Sequence, residues 1–474
     1  MREFDYDLAV LGGGSAGYAA AHTTAAAGRK TIVLEGGPDV GGLCILRGCM
    51  PTKALLYAAE VHHLARHADT WGINTGPVTF DFPRVMARKR ALIEDFASYR
   101  RGQLTSGKFV FQRAHAAFTD PHTLQLSTGE RVTARHFLLA TGSVVAPPPL
   151  PQLRDVGYLT SDEALELESL PESLIILGGG AVAVEFAQFF QRFGVAVTLL
   201  QRHEHLLRDF DTDTASELEK VLRREGMTIH TNTRLLEARR ENRHENGREN
   251  SRKIVAFEKV GQRHEVAAAE ILFALGRTPN TASLELARAG VARAGARIIT
   301  NDRQQTSAPH IYAAGDCTGP YEIVHLAIQQ GEIAAHNILH PDQPRAIDYR
   351  LLTSVVFTDP QIATVGLTEK SARAANISFL SASYPFNDHG KSLIMEAKDG
   401  FVKLLADPVT GEILGGSCIG PLGGELIHEI IVAMAQRMTV HELAAVPHYH
   451  PTLAEIWTYP AEDLASQIPG AETR

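Results

Sequence analysis

DLAVLGGGSAG, residues 7–17, reads as a short buried strand that breaks into a glycine turn and opens a helix. YAAAHTTAAAG (18–28) supplies that helix and Gly28 ends it, while TIVLE (31–35) is a second strand. Gly12, Gly14 and Gly17 stand in G-x-G-x-x-G spacing inside this strand–helix–strand unit. Gly12 serves the turn, Gly14 lets a pyrophosphate approach the backbone, and Gly17 lets helix and strand pack closely. The helix N-terminus then offers its unpaired N–H groups and positive dipole end to the phosphates. Glu35 closes the second strand, where a carboxylate accepts hydrogen bonds from an adenosine ribose.

The device returns at LIILGGGAVAVEF (174–186), with Gly178, Gly180 and Ala183, followed by the strand AVTLLQR (196–202). One such motif is weak, since glycine-rich strand ends are common; two, each between a strand and a helix, point to two bound dinucleotides. The copies differ at the tip of the second strand. The first ends in Glu35, which suits a free ribose and repels a 2′-phosphate. The second ends in Gln201-Arg202-His203, with Arg208 shortly after and no acid at the tip. Read functionally, Arg202 and Arg208 select NADP(H), with NAD(H) as the other possibility; read blandly, they are solvated surface charges.

The remaining sequence bounds the architecture. At 474 residues the chain is long enough for roughly two to four domains. Its 44 % hydrophobic and 21 % charged content is that of a soluble globular protein. With 46 basic and 54 acidic side chains the net charge is −8, which argues against a nucleic-acid-coating surface. The start, MREFDYDLAVLGGG, runs straight into a strand and does not read as a signal peptide, and no apolar run reaches the roughly 18 residues of a membrane span. A cytoplasmic protein without nucleic-acid or membrane partners is expected. APPPLP (146–151) reads as a stiff linker. RRENRHENGRENSRK (239–253) reads as a solvated loop tip. From about residue 340 the strand-like TSVVFTDPQIATVG and FVKLLAD precede the helical GGELIHEIIVAMAQRM and TLAEIWTY, an α+β pattern.

GGLCILRGCMPTKALL (41–56) is the chemical centre. Four residues separate Cys44 from Cys49, and along an ideal helix that spacing rises about 7.5 Å. A disulfide needs Cα atoms within about 6.8 Å, so the pair can bridge only if the chain turns, which Gly41, Gly42 and Gly48 permit. Pro51 suits the first turn of a new helix, putting Cys49 at a helix N-terminus, where the dipole favours a thiolate. A reversible redox disulfide beside a flavin fits this position best. A zinc site lacks further ligands nearby, so no metal is expected; a structural disulfide and two buried thiols are the other readings. Cys317 and Cys418 stand alone and read as small buried residues. Near the C-terminus, PHYHPTLAEIW (447–457) sets His450 five positions before Glu455, on a helix expected to open at Pro451. A carboxylate beside a histidine tunes it for proton transfer, although a histidine before a helix is commonly a surface or capping residue.

Taken in order, these motifs, with LLATGS (138–143), ALGRTPN (274–280), TSAPHIYAAGD (306–316) and HPTLAE (450–455), resemble the flavin-dependent pyridine nucleotide–disulfide reductases: glutathione reductase, dihydrolipoamide dehydrogenase and mercuric reductase. The resemblance spans nearly the whole chain. It implies an α/β protein with two Rossmann-like domains and a C-terminal α+β dimerisation domain. The division implied is FAD binding at 1–146 and 270–338, NAD(P)H binding at 147–269, and the homodimer interface at 339–474. By the same resemblance Cys44 exchanges with a small-molecule disulfide and Cys49 lies nearest the flavin. Lys53 and Glu185 pair beside the flavin's reactive edge; Gly142, Gly276 and Asp316 belong to cofactor binding. His450, held by Glu455, acts across the dimer interface as acid–base catalyst. The alternatives are an NAD-dependent dihydrolipoamide dehydrogenase, a mercuric, metal or quinone reductase, and a redox-sensing flavoprotein whose output is a partner contact. Leu43 stands where the family usually has threonine, Leu46-Arg47 replace small or polar residues, and ASQIPGAETR lacks the cysteine pair of mercuric reductases. Arg47, next to the exchange thiol, favours an anionic substrate or points to solvent.

Overall fold

The computed structural model describes residues 3–245 and 248–468. Its contacts divide the chain into two compact units. The first comprises Met1–Thr52, Arg84–Pro147 and Gly276–Ile347, and the second Lys53–Pro83, Pro148–Leu275 and Asp348–Arg474. The proline-rich segment at 146–151 contains the point where one unit gives way to the other.

The first unit is organised by Tyr6–Leu11, which pairs in parallel with Thr31–Glu35 on one side and Arg131–Leu139 on the other. Val110–Arg113 and Ile311–Ala313 extend the parallel part, and Ala116–Asp120 and Thr123–Leu126 add antiparallel strands, making seven among the described residues. Successive residues of the central strands point to opposite faces, and both faces are covered. Ala9, Leu11, Ile32, Leu34, Phe137 and Leu139 fill one layer. Leu8, Val10, Val33 and Leu138 fill the other. This explains why the strands read as near-continuous apolar runs.

At the end of the first strand, Gly12 has φ 108°, and a Cβ there would stand 2.3 Å from the Ala140 carbonyl oxygen. A Cβ on Gly17 would stand 1.9 Å from the Gly12 carbonyl. No side chain fits at either point, and the helix Ser15–Ala26 is brought hard against the strand it follows.

The second unit repeats the geometry. Ser173–Leu177, Ala196–Leu200, Thr228–His230 and Glu270–Phe273 form a four-stranded parallel sheet among the described residues. Gly178 has φ 119°, and its Cβ would lie 2.3 Å from the Ala274 carbonyl oxygen, the same approach as in the first motif. From residue 353 onward an antiparallel sheet runs in the order Thr353–Val356, Gln361–Gly366, Ile413–Gly420, Phe401–Ala406, Leu380–Pro385. The helices Gly423–Ala435 and Thr458–Gln467 belong to its core, where Phe386, Val402, Leu404 and Trp457 are buried, in keeping with the expected α+β pattern. Among the described residues no helix is long and apolar enough to cross a membrane.

Two local expectations are corrected. Residues 239–253 are not a loop tip: Thr233–Glu245 and Arg248–Lys259 pair in antiparallel register, from Thr233 opposite Lys259 to Glu245 opposite Arg248, and Gln262–Ala268 adds a third strand. Cross-strand charges stabilise this ribbon where apolar side chains are scarce. Arg239 and Arg263 both bind Glu265, and their hydrogen bonds hold its carboxyl down at about 2. The residues at the expected tip, 246 and 247, lie outside the described ones. Nor does Pro451 open a helix. Glu455 sits in the short turn Ala454–Trp457, which starts after Leu453, and its N–H faces Thr452 Oγ1 at 3.4 Å.

The glycine geometry separates two neighbouring positions. Gly178→Ala must strain its backbone and shift Ala274, and is expected to cost about 2 kcal/mol or more. Gly180, with φ −82° and open space around its Cβ position, should tolerate alanine with little loss of stability. Urea unfolding of the two variants checks the contrast.

Candidate active site

Cys44 lies in the five-residue helix Leu43–Arg47, and Cys49 is the first residue of the helix Cys49–Arg66. Gly48 links them with φ −132° and ψ −117°. A Cβ on Gly48 would stand 3.0 Å from the Leu43 carbonyl oxygen and 3.2 Å from Cys44 Cα. The chain therefore folds back so that the residue before Cys49 packs on Cys44. Both cysteines are half-buried. Cys317 and Cys418 are fully buried, and burial pushes the Cys317 thiol up to about 11 and the Cys418 thiol higher still.

Around the first glycine motif the residues fit a dinucleotide such as FAD. Gly14 caps the helix without a side-chain hydrogen bond, so no side chain competes for the N–H groups of the first turn. Gly42, at φ 83°, presents bare backbone to Gly14: a Cβ there would lie 2.9 Å from Gly14 Cα. Glu35 accepts hydrogen bonds from the N–H groups of Gly13 and Gly37, both at 2.8 Å, which fixes its carboxylate at the strand tip. Gly142 and Gly276, both at positive φ, flank the paired strands Ser143–Val145 and Arg277–Pro279. There Ser143 Oγ donates to Asp316 at 2.7 Å and accepts from Arg277 Nε at 2.8 Å. Ser143 and Arg277 thus orient Asp316; both lie inside quoted motifs, but nothing in their spacing announces the contact.

The second motif ends differently. Gln201 occupies the place against the glycine turn that Glu35 takes in the first, with Nε2 2.6 Å from the Cβ position of Gly179. Gly180 caps its helix without a side chain, and Ala183 is buried on that helix. Arg202 Nε donates to His203 Nε2 at 3.0 Å, and Arg208 Nη1 lies 3.2 Å from the same nitrogen. Partial burial, then the two cations, hold the His203 imidazole below its usual range. The structure thus brings both predicted arginines to one exposed spot, with His203 between them.

Lys53 and Glu185 meet as expected. Lys53 Nζ donates to Glu185 at 2.8 Å and stands 4.5 Å from the centre of the Phe357 ring. The second oxygen of Glu185 accepts from the Phe357 N–H at 2.9 Å. Gln188 and Arg192 continue the same helix face. Gln188 exchanges two 2.7 Å hydrogen bonds with the Asp359 backbone, and Arg192 pairs with Glu225 and Asp359. Glu185, Gln188 and Arg192 fall at i, i+3 and i+7, a signal present in the sequence and not used.

His450 Nδ1 is 3.0 Å from Glu455, which is itself buried, while the His450 side chain is 77 % exposed. Sequence reasoning missed His389, fully buried, with Nε2 3.4 Å from Glu455 and Nδ1 2.8 Å from Ser392 Oγ. Burial holds its imidazole below the ordinary range, against the pull of Glu455. It lies too far along the chain for any spacing to have linked it.

A half-buried cysteine pair at a glycine turn, two glycine-capped nucleotide helices and a tethered histidine define a thiol–disulfide redox flavoprotein. Residues 6–331 match the pyridine nucleotide-disulphide oxidoreductase family and 352–461 its dimerisation domain. The chain is 34 % identical over 466 residues to a dihydrolipoyl dehydrogenase of Bacillus subtilis, covering 95 % of this chain and 96 % of that one. It is 33 % identical over 457 residues to a mercuric reductase of Staphylococcus aureus, covering 96 % and 81 %. Among solved structures it resembles the HOCl-induced flavoprotein disulfide reductase RclA from Escherichia coli, with TM-score 0.83, 27 % identity and coverage of 96 % and 99 %. The chain belongs to the pyridine nucleotide-disulphide oxidoreductases, FAD-dependent enzymes that use a pyridine nucleotide.

After reduction, iodoacetamide near neutral pH should modify Cys44 and Cys49 in the native protein and spare Cys317 and Cys418, as read by peptide mass spectrometry. Modification of either buried thiol would contradict the burial described.

Proposed function

We propose that this chain is an NADPH-dependent disulfide reductase, a cytoplasmic homodimer that passes electrons through FAD and a Cys44–Cys49 disulfide to a small-molecule disulfide. The observation that carries this reading is the turn at Gly48, which packs on Cys44 and sets Cys49 at a helix N-terminus. FAD, when bound, supplies the exchange between hydride transfer from nicotinamide and electron transfer to sulfur.

The protein's own part follows from the geometry. Cys44, as thiolate, attacks one sulfur of the substrate and breaks its S–S bond. The departing thiolate takes a proton from His450, whose Nδ1 is tied to Glu455, so that Nε2 holds and gives the proton. Cys49 then attacks Cys44 in the mixed disulfide, expels the second thiol and restores the bridge. One NADPH, one proton and one disulfide yield NADP⁺ and two thiols. The exposure of His450 supports its service to Cys44 of the second copy. The Lys53–Glu185 pair serves the nicotinamide–flavin exchange, with a charge fixed by the Phe357 N–H.

The coenzyme choice rests on Gln201 in place of an acid and on the convergence of Arg202 and Arg208. Charge-assisted hydrogen bonds of about 1.5–3 kcal/mol each put the preference for NADPH over NADH at about a hundredfold. A second reading, a dihydrolipoamide dehydrogenase working towards NAD⁺, is favoured by HPTLAE and by the names of similar proteins.

Stopped-flow reduction of the flavin by each nicotinamide separates the two. NADPH should be favoured, and the double substitution Arg202→Gln, Arg208→Gln should erase about a hundredfold of that preference. Tighter, faster reduction by NADH would overturn the reading. In steady-state assays against oxidised glutathione, lipoamide, Hg(II) and quinones, His450→Gln should slow disulfide turnover about a hundredfold or more, and equal loss with a quinone would contradict its role at the leaving thiolate.

A further inference from the structure

His389 is fully buried at the start of the short helix Gly390–Ile394. Its Nδ1 lies 2.8 Å from Oγ of Ser392, which is also fully buried. Its Nε2 is sealed from solvent and faces Glu455 Oε1 at 3.4 Å. Glu455 in turn meets His450 Nδ1 at 3.0 Å through Oε2 and at 3.2 Å through Oε1. Two imidazoles thus flank one buried carboxylate, and no lysine or arginine among the described residues pairs with it.

The proton positions follow from this geometry. Burial, set against the pull of Glu455, keeps the His389 imidazole below its ordinary range, so near neutral pH it is uncharged and carries a single N–H. An ionised carboxylate only accepts, which places that N–H on Nε2. Nδ1 then accepts from the Ser392 hydroxyl, and this fixes the tautomer. At 3.4 Å the approach is longer than a full hydrogen bond. Its effect is that of an N–H dipole beside a buried charge, strengthened by the low dielectric there. The other titratable groups around the pair are His448, Tyr384, Tyr459 and Asp388. His448 is bound to Glu429. Tyr459 packs edge-on to His389 and stacks on Tyr384, whose hydroxyl donates to Asp388 at 3.1 Å.

We propose that His389 is a positioning residue for acid–base catalysis: its N–H, oriented by Ser392, takes up part of the Glu455 charge and so lets His450 give up its proton more readily. The use of that proton rests on the disulfide-reductase reading; the coupling of the two histidines through Glu455 does not. Without the His389 N–H, Glu455 is left with His450 as its one imidazole donor and holds the imidazolium more strongly.

Diethyl pyrocarbonate acylates only a neutral imidazole. The pH dependence of its reaction at His450, followed by peptide mass spectrometry in the flavin-loaded protein, therefore gives the midpoint of His450 protonation without any substrate. In His389→Leu the midpoint should rise by about 0.5–1 pH unit. In His389→Gln, which returns an amide N–H to the place of Nε2, it should fall most of the way back. An unchanged or lowered midpoint in His389→Leu, or an equal rise in His389→Gln, would overturn the proposal. Should His389→Leu lose its flavin, Ser392→Ala decides instead: it leaves the ring in place but frees its tautomer, and should move the midpoint upward, where no movement would overturn the proposal. In a second arm, NADPH-driven turnover of oxidised glutathione or lipoamide by His389→Leu should lose about threefold in kcat with KM retained, and its alkaline limb should move up with the His450 midpoint, while quinone turnover holds. Equal loss with the quinone would overturn the proposal. If the unaltered protein reduces neither disulfide, the reductase reading fails, while the His450 midpoint still decides what His389 does.

Discussion

The chemistry of this chain depends on backbone approaching backbone more closely than any side chain allows. At Gly12 and Gly178 a Cβ would fall on a carbonyl oxygen, Ala140 in one case and Ala274 in the other, at the same 2.3 Å. That shared contact ends each strand and leads into a helix whose N-terminus carries no side-chain cap, an arrangement suited to an anion. At Gly48 the fit is tight without being forbidden: a Cβ would stand 3.0 Å from the Leu43 carbonyl oxygen and 3.2 Å from Cys44 Cα, so a side chain there would have to shift these neighbours. No side chain fits at Gly12 or Gly178 without displacing the backbone it faces.

On that framework, charge placement divides the labour. Glu35 and Gln201 close equivalent strands, an acid in one and an amide in the other, with Arg202 and Arg208 beyond the amide. Asp316 is oriented through Ser143 by Arg277, Lys53 is fixed by Glu185, and His450 by Glu455 with His389 behind. In each case a buried or half-buried polar group holds the group that faces outward, which keeps the site organised before a ligand arrives.

Much of this was legible in the sequence because the fold's signals are local. The glycine spacing, the apolar strands buried on both faces and the order of the motifs specify the nucleotide-binding units without knowledge of distant contacts. What escaped was non-local or masked by charge. The strands Thr233–Glu245 and Arg248–Lys259 carry arginines and glutamates where strands usually carry apolar residues, and the contacts that reveal them are non-local: the burial of Ile254, Val255 and Phe257 and the pairing of Arg239 and Arg263 with Glu265. The turn holding Glu455 starts after Leu453, three residues beyond His450, and Pro451 opens no helix. His389 meets Glu455 from a remote point in the chain, and no spacing rule connects them.

The central claim is that the sulfurs of Cys44 and Cys49 form an electron store in series with the flavin. Anaerobic titration of the flavin-loaded protein with dithionite measures that store directly. The unaltered protein should take up twice the reducing equivalents per bound flavin that Cys44→Ser takes up; equal uptake by the two would contradict the account.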